Sequence, residues 1–177
     1  SILWSSENAH IRVVSPTEIE GFSSGGKFCG TPTPYRAHFV IRLSKPALGS
    51  GTWNADGWSE VSEQDGEKVG AYLRFSTKDS EEILLRTGIS YVSIENARAN
   101  LEAEIPDTKS FESVRLEARQ RWDKELGKVQ VAGGSESERR IFYTALYHML
   151  IHPSTFSDAN GEYREYRSTA IRVAKDY

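Results

Sequence analysis

Cysteine and long apolar segments are almost missing from this sequence of 177 residues. Its single thiol, Cys29, excludes a disulfide within the chain and a zinc site built from cysteines. No apolar run approaches the roughly 20 residues that a membrane-spanning helix needs. Ser1–Trp4 lacks the basic start and apolar core of a signal peptide, and because there is no initial methionine we read this start as internal or processed. Composition thus indicates a globular protein that folds without disulfides and does not enter a membrane.

Excess charge of one sign is missing as well. Lys and Arg number 22 against 25 Asp and Glu, which gives a net charge of −3. Domains that bind nucleic acid carry a basic patch or stripe that matches the phosphate backbone. The sequence therefore predicts neither a nucleic acid nor an anionic membrane surface as a partner.

Aromatic residues, in contrast, are frequent: four Trp, eight Tyr and seven Phe. A pyranose ring presents apolar C–H faces that stack on aromatic rings, although aromatic packing inside a protein is the commoner use. Trp53 and Trp58 stand in loop-like sequence beside glycines. Each of them would either stack on a sugar or fold back over the edge of a β-sandwich, and the sequence does not choose between these alternatives.

The first half of the sequence has the alternating pattern of β-strands. Four segments carry it: Tyr35–Leu43, Lys68–Phe75, Glu82–Arg86 and Ile89–Val92. Thr87-Gly88 separates the last two, and Asp65-Gly66 is predicted to turn a hairpin. Clusters of Gly, Pro and Ser interrupt the pattern at short intervals. This combination predicts an antiparallel β-sandwich.

The second half changes to helical spacing. Three segments carry it: Ile94–Ile105, Phe111–Leu126 and the stretch from Arg139 to His152. Pro106 ends the first, Gly127 stands where a helix C-terminal cap is expected, and Ser135–Glu138 forms a capping box before the third. The third helix is predicted to bury Ile141 and Met149, among others, against more helices than these residues supply.

The two patterns meet near Asp107 and divide the chain. We predict an α+β chain that is mainly β: a partial antiparallel β-sandwich over 1–107, a linker helix over 108–134, and the start of a helical domain over 135–177. The helical part is expected to belong to something larger. An exposed half of such an interface would leave an apolar patch and favour self-association.

A histidine pair could suggest a metal site. His148 and His152 are four residues apart in the third predicted helix. A zinc-protease motif needs a Glu directly after the first His, and here that residue is Met149. The pair is therefore interpreted as packing or carbonyl-bonded histidines.

Asp158–Glu162 resembles part of a calcium loop. Position twelve of such a loop would be Thr169 rather than an acidic residue, so the match fails. The favoured interpretation is a hairpin with Asn160-Gly161 at its tip, between Ser154–Ser157 and Tyr163–Tyr166.

Gly25–Thr31 is a glycine-rich loop that contains Lys27, but it lacks the residue order of a phosphate-binding loop. It either lets the backbone approach another surface and presents Phe28 or Cys29, or it buries these two side chains inside the sandwich. No catalytic triad and no pair of catalytic carboxylates follows from residue spacing alone.

Seven motifs, in order and at sensible spacing, resemble the glycoside hydrolase family 92 α-mannosidases. They are Phe28–Gly30, Gly70–Phe75, Gly88–Ser93, Ala97–Leu101, Trp122–Leu126, Phe142–His148 and Phe156–Tyr163. Together they cover most of the chain. The resemblance implies an N-terminal β-sandwich, a helical linker and a C-terminal (α/α)6 barrel, in agreement with the change from strands to helices.

The resemblance also implies an activity. Enzymes of this family are calcium-dependent exo-α-mannosidases that remove terminal mannose with inversion. By resemblance, the general acid, the general base and the calcium ligands belong to the barrel, downstream of Tyr177. No catalytic residue and no metal ligand is therefore expected in this chain.

One site residue is carried over from the resemblance. In this family, loops of the sandwich close one side of the active site, and Phe28 in the Phe-Cys-Gly motif is the expected contact to mannose. Tyr163–Ala170 departs from the family, which commonly has Tyr-x-Gly and a following Asp-Gly there.

The sequence therefore predicts a piece of a secreted or periplasmic α-mannosidase that acts on mannose-containing glycans. The expectation includes α-1,2 linkages of N-glycans, calcium bound outside this chain, and no activity of the 177 residues alone. The rival interpretation is a non-catalytic carbohydrate-binding β-sandwich with its site at Trp53 or Trp58. A purely structural domain is the third alternative.

Overall fold

The computed structural model describes residues 8–26, 35–166 and 168–174. Within these ranges the chain forms antiparallel sheets, then three helices, then a short pair of strands. The α+β class predicted from the sequence is confirmed.

Five antiparallel strands form the larger sheet, in the order β6-β1-β2-β3-β8. Their bounds are β1 Asn8–Ser15, β2 Glu18–Gly25, β3 Tyr35–Leu43, β6 Glu63–Gly66 and β8 Leu85–Ser90. The strand predicted from alternation at Tyr35–Leu43 coincides with β3. This strand pairs with β2 on one side and β8 on the other, so it lies inside the sheet.

Three further strands form a smaller sheet, in the order β5-β4-β7. Their bounds are β4 Gly49–Asn54, β5 Gly57–Ser59 and β7 Gly70–Arg74. Thr52 of β4 is fully buried, and its hydroxyl donates to the carbonyl oxygen of Val61 at 3.2 Å. Since β4 contacts β1 and β6, one side of this small sheet packs on the larger sheet.

Helix α1, Ile94–Glu104, packs on the larger sheet and supplies its core. Ser93 caps its first turn by accepting from the backbone N–H of Asn96 at 3.1 Å. Val40 and Ala97 are fully buried and Leu101 is 3% exposed. Fully burying an aliphatic side chain contributes about 1.5–3 kcal/mol, so this contact is a main source of stability.

Thr87-Gly88 does not interrupt the strand, contrary to the sequence pattern. Strand β8 runs through both residues and pairs with Ile41 and Val40. A Cβ at Gly88 would overlap the carbonyl oxygen of Ala97 and lie 2.7 Å from Cβ of Leu101. The glycine is needed because α1 approaches the strand closely, not because the chain turns.

The hairpin predicted at Asp65-Gly66 is also wrong. Both residues belong to β6, where Asp65 pairs with His10 and Gly66 with Ala9. The next strand, β7, lies in the other sheet, so the chain leaves one sheet and enters the other at this point.

The last strands pair differently from the predicted hairpin. β9, Glu162–Arg164, pairs with β10, Ile171–Val173. A turn does form at Asn160-Gly161, where Gly161 has φ +83°, but it precedes β9 and does not join two paired strands. The turn was therefore predicted at the correct residues, but the two strands predicted on either side of it do not pair with each other.

Residues 107–156 form a second compact unit, whereas residues 1–106 and 157–177 form the first. The second unit contains α2, Phe111–Leu126, and α3, Glu136–Leu150. Both predicted end signals are present: Gly127 is the C-terminal cap of α2, and Ser135 and Glu138 form the capping box of α3.

Helices α2 and α3 pack through Trp122 and Tyr147, whose ring centroids lie 4.5 Å apart. The predicted burial of Ile141 and Met149 is not found, because their exposed fractions are 67% and 65%. Helix α2 covers one part of α3, and the rest of its wide apolar arc remains exposed in the described part of the chain.

An ion-pair network links α1 to β2 and β3. Arg98 of α1 reaches Glu18 at 2.7 Å and Glu20 at 2.5 Å, while Arg42 of β3 contacts Glu18 at 2.8 Å and also Glu102. Burial tends to raise the pKa of Glu18, but hydrogen bonds from Arg98 and Arg42 outweigh it and hold the pKa below its ordinary value.

Within the described ranges, no helix combines the length and the apolar character needed to span a bilayer.

Candidate functional site

A buried polar cluster lies where the turn Asp158–Gly161 meets helix α1. Asp158 is 6% exposed. Its Oδ2 accepts from Ser90 Oγ at 2.6 Å and from Asn96 Nδ2 at 2.8 Å, and its Oδ1 accepts from Asn100 Nδ2 at 2.7 Å. Asn96 Nδ2 also donates to Glu162 Oε2 at 2.8 Å. We call these five residues the Asp158 cluster.

Local structure explains why these side chains converge. Asn96 and Asn100 are one turn apart and therefore share a face of α1. The backbone around Asp158 is folded back on itself, since its N–H donates to the Glu162 carbonyl at 2.7 Å and its carbonyl accepts from Gly161 N–H at 2.8 Å. Asn100 Oδ1 completes the junction by accepting from the Ala159 N–H at 2.7 Å.

The hydrogen bonds of Asp158 define its role. A general acid, a general base or a calcium ligand must present an oxygen to the substrate, to water or to the ion. Both oxygens of Asp158 are already bound to side chains of Ser90, Asn96 and Asn100. The cluster is thus a structural joint, in which a buried group left without its partner costs about 1–3 kcal/mol.

A groove of about 480 Å³ lies beside the cluster in the first unit. His38 connects the two, because it lines the groove and its Nδ1 donates to the Ser90 carbonyl at 3.3 Å. Further lining residues include Tyr35, Arg36, Tyr91 and Arg164. None of the described residues that line the groove is an Asp or a Glu.

The groove is rich in hydrogen-bond donors. Arg36 lies 4.0 Å above the Phe22 ring and donates from Nε to Ser24 Oγ at 3.3 Å. Arg164 donates from Nε to the Ser168 carbonyl at 3.0 Å. Burial lowers the pKa of His38 below its ordinary value of 6.5, so this imidazole is neutral at pH 7. The arrangement can hold a hydroxyl-rich ligand but lacks the two carboxyl groups that glycoside hydrolysis needs.

Phe28, the sequence-predicted sugar contact, lies outside the described residues, as does Cys29. The nearest described residues before and after it are Gly26 and Tyr35. Ser24 and Tyr35 both line the groove. Its role therefore stays a prediction.

Trp53 and Trp58 belong to strands and not to loops. They lie directly opposite each other on β4 and β5, with ring centroids 6.3 Å apart. Trp58 is 71% exposed. The sequence identified both residues, but only the strand register brings them together on one face.

His148 and His152 lie in different local structure. Helix α3 ends at Leu150, so His148 lies in its last turn and His152 lies beyond the helix. Among the described residues, no group of three potential ligands includes either histidine. The packing interpretation stays a prediction, and metal binding by this pair has no support.

One group of potential metal ligands was missed from the sequence. His10 on β1 lies 2.9 Å from Asp65 and 3.9 Å from Glu63, measured from its two ring nitrogens to the carboxylate oxygens. His10 and Asp65 are 55 positions apart, so only strand pairing could have found them. Calcium prefers six to eight oxygen ligands, and a histidine with two exposed carboxylates does not fit it.

Two family models match this chain in succession. Residues 3–90 match the glycosyl hydrolase family 92 N-terminal domain, and residues 96–177 match the glycosyl hydrolase family 92 catalytic domain. The chain belongs to glycosyl hydrolase family 92. The Asp158 cluster includes residues of both matched regions. Ser90 belongs to the first match, and Asn96, Asn100 and Asp158 belong to the second. Its hydrogen bonds join the two family regions.

Solved members of glycosyl hydrolase family 92 have the same fold. The α-mannosidase BT3965 from Bacteroides thetaiotaomicron superposes with a TM-score of 0.87 at 27% identity, over 99% of this chain and 24% of its own. The family 92 glycosyl hydrolase ccman5 superposes with a TM-score of 0.86 at 29% identity, over 98% of this chain and 23% of its own. This chain spans about a quarter of the length of these proteins.

A curated relative matches a shorter part. A protein of Arthroderma benhamiae named "Uncharacterized secreted glycosidase" is 33% identical over 98 residues, which make up 52% of this chain and 13% of that protein.

Proposed function

We propose that this chain is part of an exo-acting α-mannosidase that removes terminal α-mannosyl residues from glycans with inversion, with α-1,2 linkages as the substrate. The observation that carries the proposal is the superposition of nearly the whole chain on a family 92 α-mannosidase. The proposed substrate class, mannose-containing glycans, follows from the name of that relative.

The chemistry of inversion supports a second part of the proposal. One carboxylic acid must protonate the leaving oxygen while a carboxylate, about 6.5–9.5 Å away, activates a water on the opposite face of the sugar. The groove has no carboxylate among its described lining residues, and the oxygens of Asp158 are engaged. We therefore place the acid, the base and the calcium ligands outside these 177 residues, and we expect the chain alone to be inactive.

Three further parts complete the proposal. Residues 1–107 form the sandwich domain, 108–134 a linker helix and 135–177 the start of the helical catalytic domain. Phe28 contacts mannose from the sandwich side, which the position of Ser24 and Tyr35 at the groove supports. The enzyme works in the periplasm or outside the cell, in line with the word "secreted" in the name of the fungal relative.

Activity measurements test this function. The gene product that extends beyond this chain should release mannose from α-1,2-mannobiose, and a calcium chelator should stop the reaction. The isolated chain should release none. Failure of the longer protein on a panel of α-1,2-, α-1,3-, α-1,4- and α-1,6-linked mannosides would refute the α-mannosidase assignment, and turnover by the chain alone would refute the placement of the carboxylates.

A non-catalytic carbohydrate-binding module is the second candidate. The exposed Trp58 favours it, because an indole at the surface can stack on a sugar. It predicts sugar binding by the chain with no hydrolysis by any longer form of the protein.

A further inference from the structure

The outer side of the small sheet carries a row of aromatic rings. Trp53 and Trp58 pair across β4 and β5, and their planes are inclined by 52°. The Tyr72 ring of β7 lies 5.1 Å from that of Trp58 at 69°. We call Trp53, Trp58 and Tyr72 the aromatic face. The groove beside the Asp158 cluster is a separate feature, lined by other residues.

Glycines on the neighbouring strands leave room for two of these rings. Trp53 pairs with Gly70, and Tyr72 pairs with Gly51. A Cβ at Gly70 would lie 2.5 Å from Trp53 Nε1, and a Cβ at Gly51 would lie 2.6 Å from the Tyr72 hydroxyl oxygen. A side chain at either position would collide with a ring, so the two glycines make room for Trp53 and Tyr72 on this side of the sheet.

A cation extends the same row. Arg74 pairs with Gly49, and a Cβ at Gly49 would lie 2.6 Å from Arg74 Nη2. The guanidinium therefore also lies across a glycine, on the face that carries Tyr72. It offers hydrogen-bond donors at one end of the aromatic row.

The aromatic face points away from the protein interior. Residues alternate along a strand, so Thr52, which is fully buried, marks the inner side of β4 and Trp53 the outer side. Trp58 is 71% exposed at the edge strand. Because Trp53 and Tyr72 lie against glycines of neighbouring strands, the aromatic face needs little rearrangement to bind a ligand at Trp58.

We propose that the aromatic face binds the pyranose rings of an oligosaccharide at a site separate from catalysis. The apolar C–H face of one sugar stacks on the exposed Trp58, with Trp53 beside it, and Arg74 donates hydrogen bonds to sugar hydroxyls. Three neighbouring strands span about 10 Å, which suits a short oligosaccharide and is too small for a stable protein interface. A net charge of −3 argues against nucleic acid.

The identification of the sugar as mannose rests on the proposed function. The proposal that the aromatic face binds a sugar does not depend on it. The face would hold a glycan chain near the enzyme while its end is cleaved elsewhere. This assigns to the N-terminal domain a binding role that does not depend on Phe28.

Calorimetric titration with tetrasaccharides tests the proposal. The chain is titrated with α-1,2-mannotetraose, cellotetraose and xylotetraose, and we expect saturable binding of the mannose chain. Trp58→Ala should weaken it by about tenfold, whereas Trp58→Phe should retain most of it, because a ring remains. Trp122→Phe on α2 is the matched control and should bind like the unchanged protein. Near-ultraviolet circular dichroism verifies that each variant is folded.

Each result has a consequence. Absence of saturable binding to all three tetrasaccharides overturns the proposal, as does binding that Trp58→Ala leaves unchanged. A dimer that Trp58→Ala dissociates, without sugar binding, shows a second copy on this face and also overturns it. Binding of cellotetraose alone supports the aromatic face and rejects mannose. Loss of hydrolysis by the longer protein, with binding intact, rejects only the proposed function.

Discussion

At the scale of single residues, hydrogen-bond partners determine what the carboxylates of this chain can do. Asp158 is buried and meets three side-chain donors, so it holds the turn before β9 against α1. Glu18 accepts from two arginines and stabilises α1 on the sheet. Because both carboxylates bind partners within the protein, both should affect the free energy of unfolding.

Asp158→Asn should destabilise the first unit. The amide replaces one acceptor oxygen with a donor, which then faces the amide of Asn100 or the donors of Ser90 and Asn96. We expect a loss of about 1–3 kcal/mol in the free energy of unfolding, measured by urea denaturation. The exposed Asp79→Asn is the control and should change it by less than about 0.5 kcal/mol. Equal stability of both variants would show that the cluster contributes nothing.

Glu18→Gln should reduce stability in a pH-dependent way. Because the pKa of Glu18 in the folded protein lies below its ordinary value of 4.5, its contribution is fully present above pH 4.5 and is lost as the pH falls through the folded-state value. The variant should therefore be less stable than the unchanged protein at pH 7, and the difference should shrink below pH 4.5. Urea denaturation at pH 7, 4.5 and 3 measures this, with the exposed Glu60→Gln as control. A difference independent of pH would contradict the role of the two arginines.

At the scale of elements, the contact between α1 and β8 depends on a missing side chain. Gly88 lets the backbone of α1 at Ala97 and the side chain of Leu101 come close to the strand. The same device recurs at Gly51 and Gly70, where it makes room for aromatic rings. In these strands glycine marks close approach rather than a turn.

Gly88→Ala should disturb the core. The added methyl group meets backbone of α1, which cannot rotate away, so the helix must shift. Overpacking of this kind costs about 1–3 kcal/mol, measurable as a lower midpoint of urea denaturation. Gly25→Ala is the matched control in another strand, because the atoms nearest its Cβ would belong to the Tyr35 side chain, at 3.3 Å or more. Equal stability of both variants would contradict the close approach of α1 to β8 at Gly88.

At the scale of the whole molecule, the chain consists of two compact units and spans about a quarter of its solved relatives. The second unit leaves large apolar side chains of α3 exposed, among them Ile141 and Met149. Contiguous patches of this kind mark surfaces that bind another protein surface.

The isolated chain should self-associate through this patch. Ile141 and Met149 are eight residues apart and lie on one side of α3. The double substitution Ile141→Glu with Met149→Glu should shift the protein toward monomer in sedimentation velocity, because it places charges in the contact. Leu48→Glu changes an apolar residue that is 77% exposed in the first unit and should leave the distribution unchanged. A monomeric unchanged protein at high concentration would refute the prediction.

Several parts of the structure were predictable because their causes are local. Alternation identified β3, and helical spacing with a proline or a capping residue at the ends identified α1, α2 and α3. The capping box of Ser135 and Glu138 follows from three residues of separation alone. The motifs also led to the correct family, since their order is a property of the sequence.

Tertiary structure decided everything that depends on partners distant in the chain. Sequence spacing could not predict that β6 pairs with β1 or that β9 pairs with β10, because the pairing strands are separated in the sequence. It could not place Gly88 inside a strand either, because the helix that packs on this glycine comes later in the chain. The sequence likewise placed Asp158 in a turn, but only the fold brings Ser90, Asn96 and Asn100 around it. The sequence by itself determined helices, caps and family, whose signals are local. The fold determined which oxygens are occupied and which rings are exposed, since these depend on contacts between distant residues.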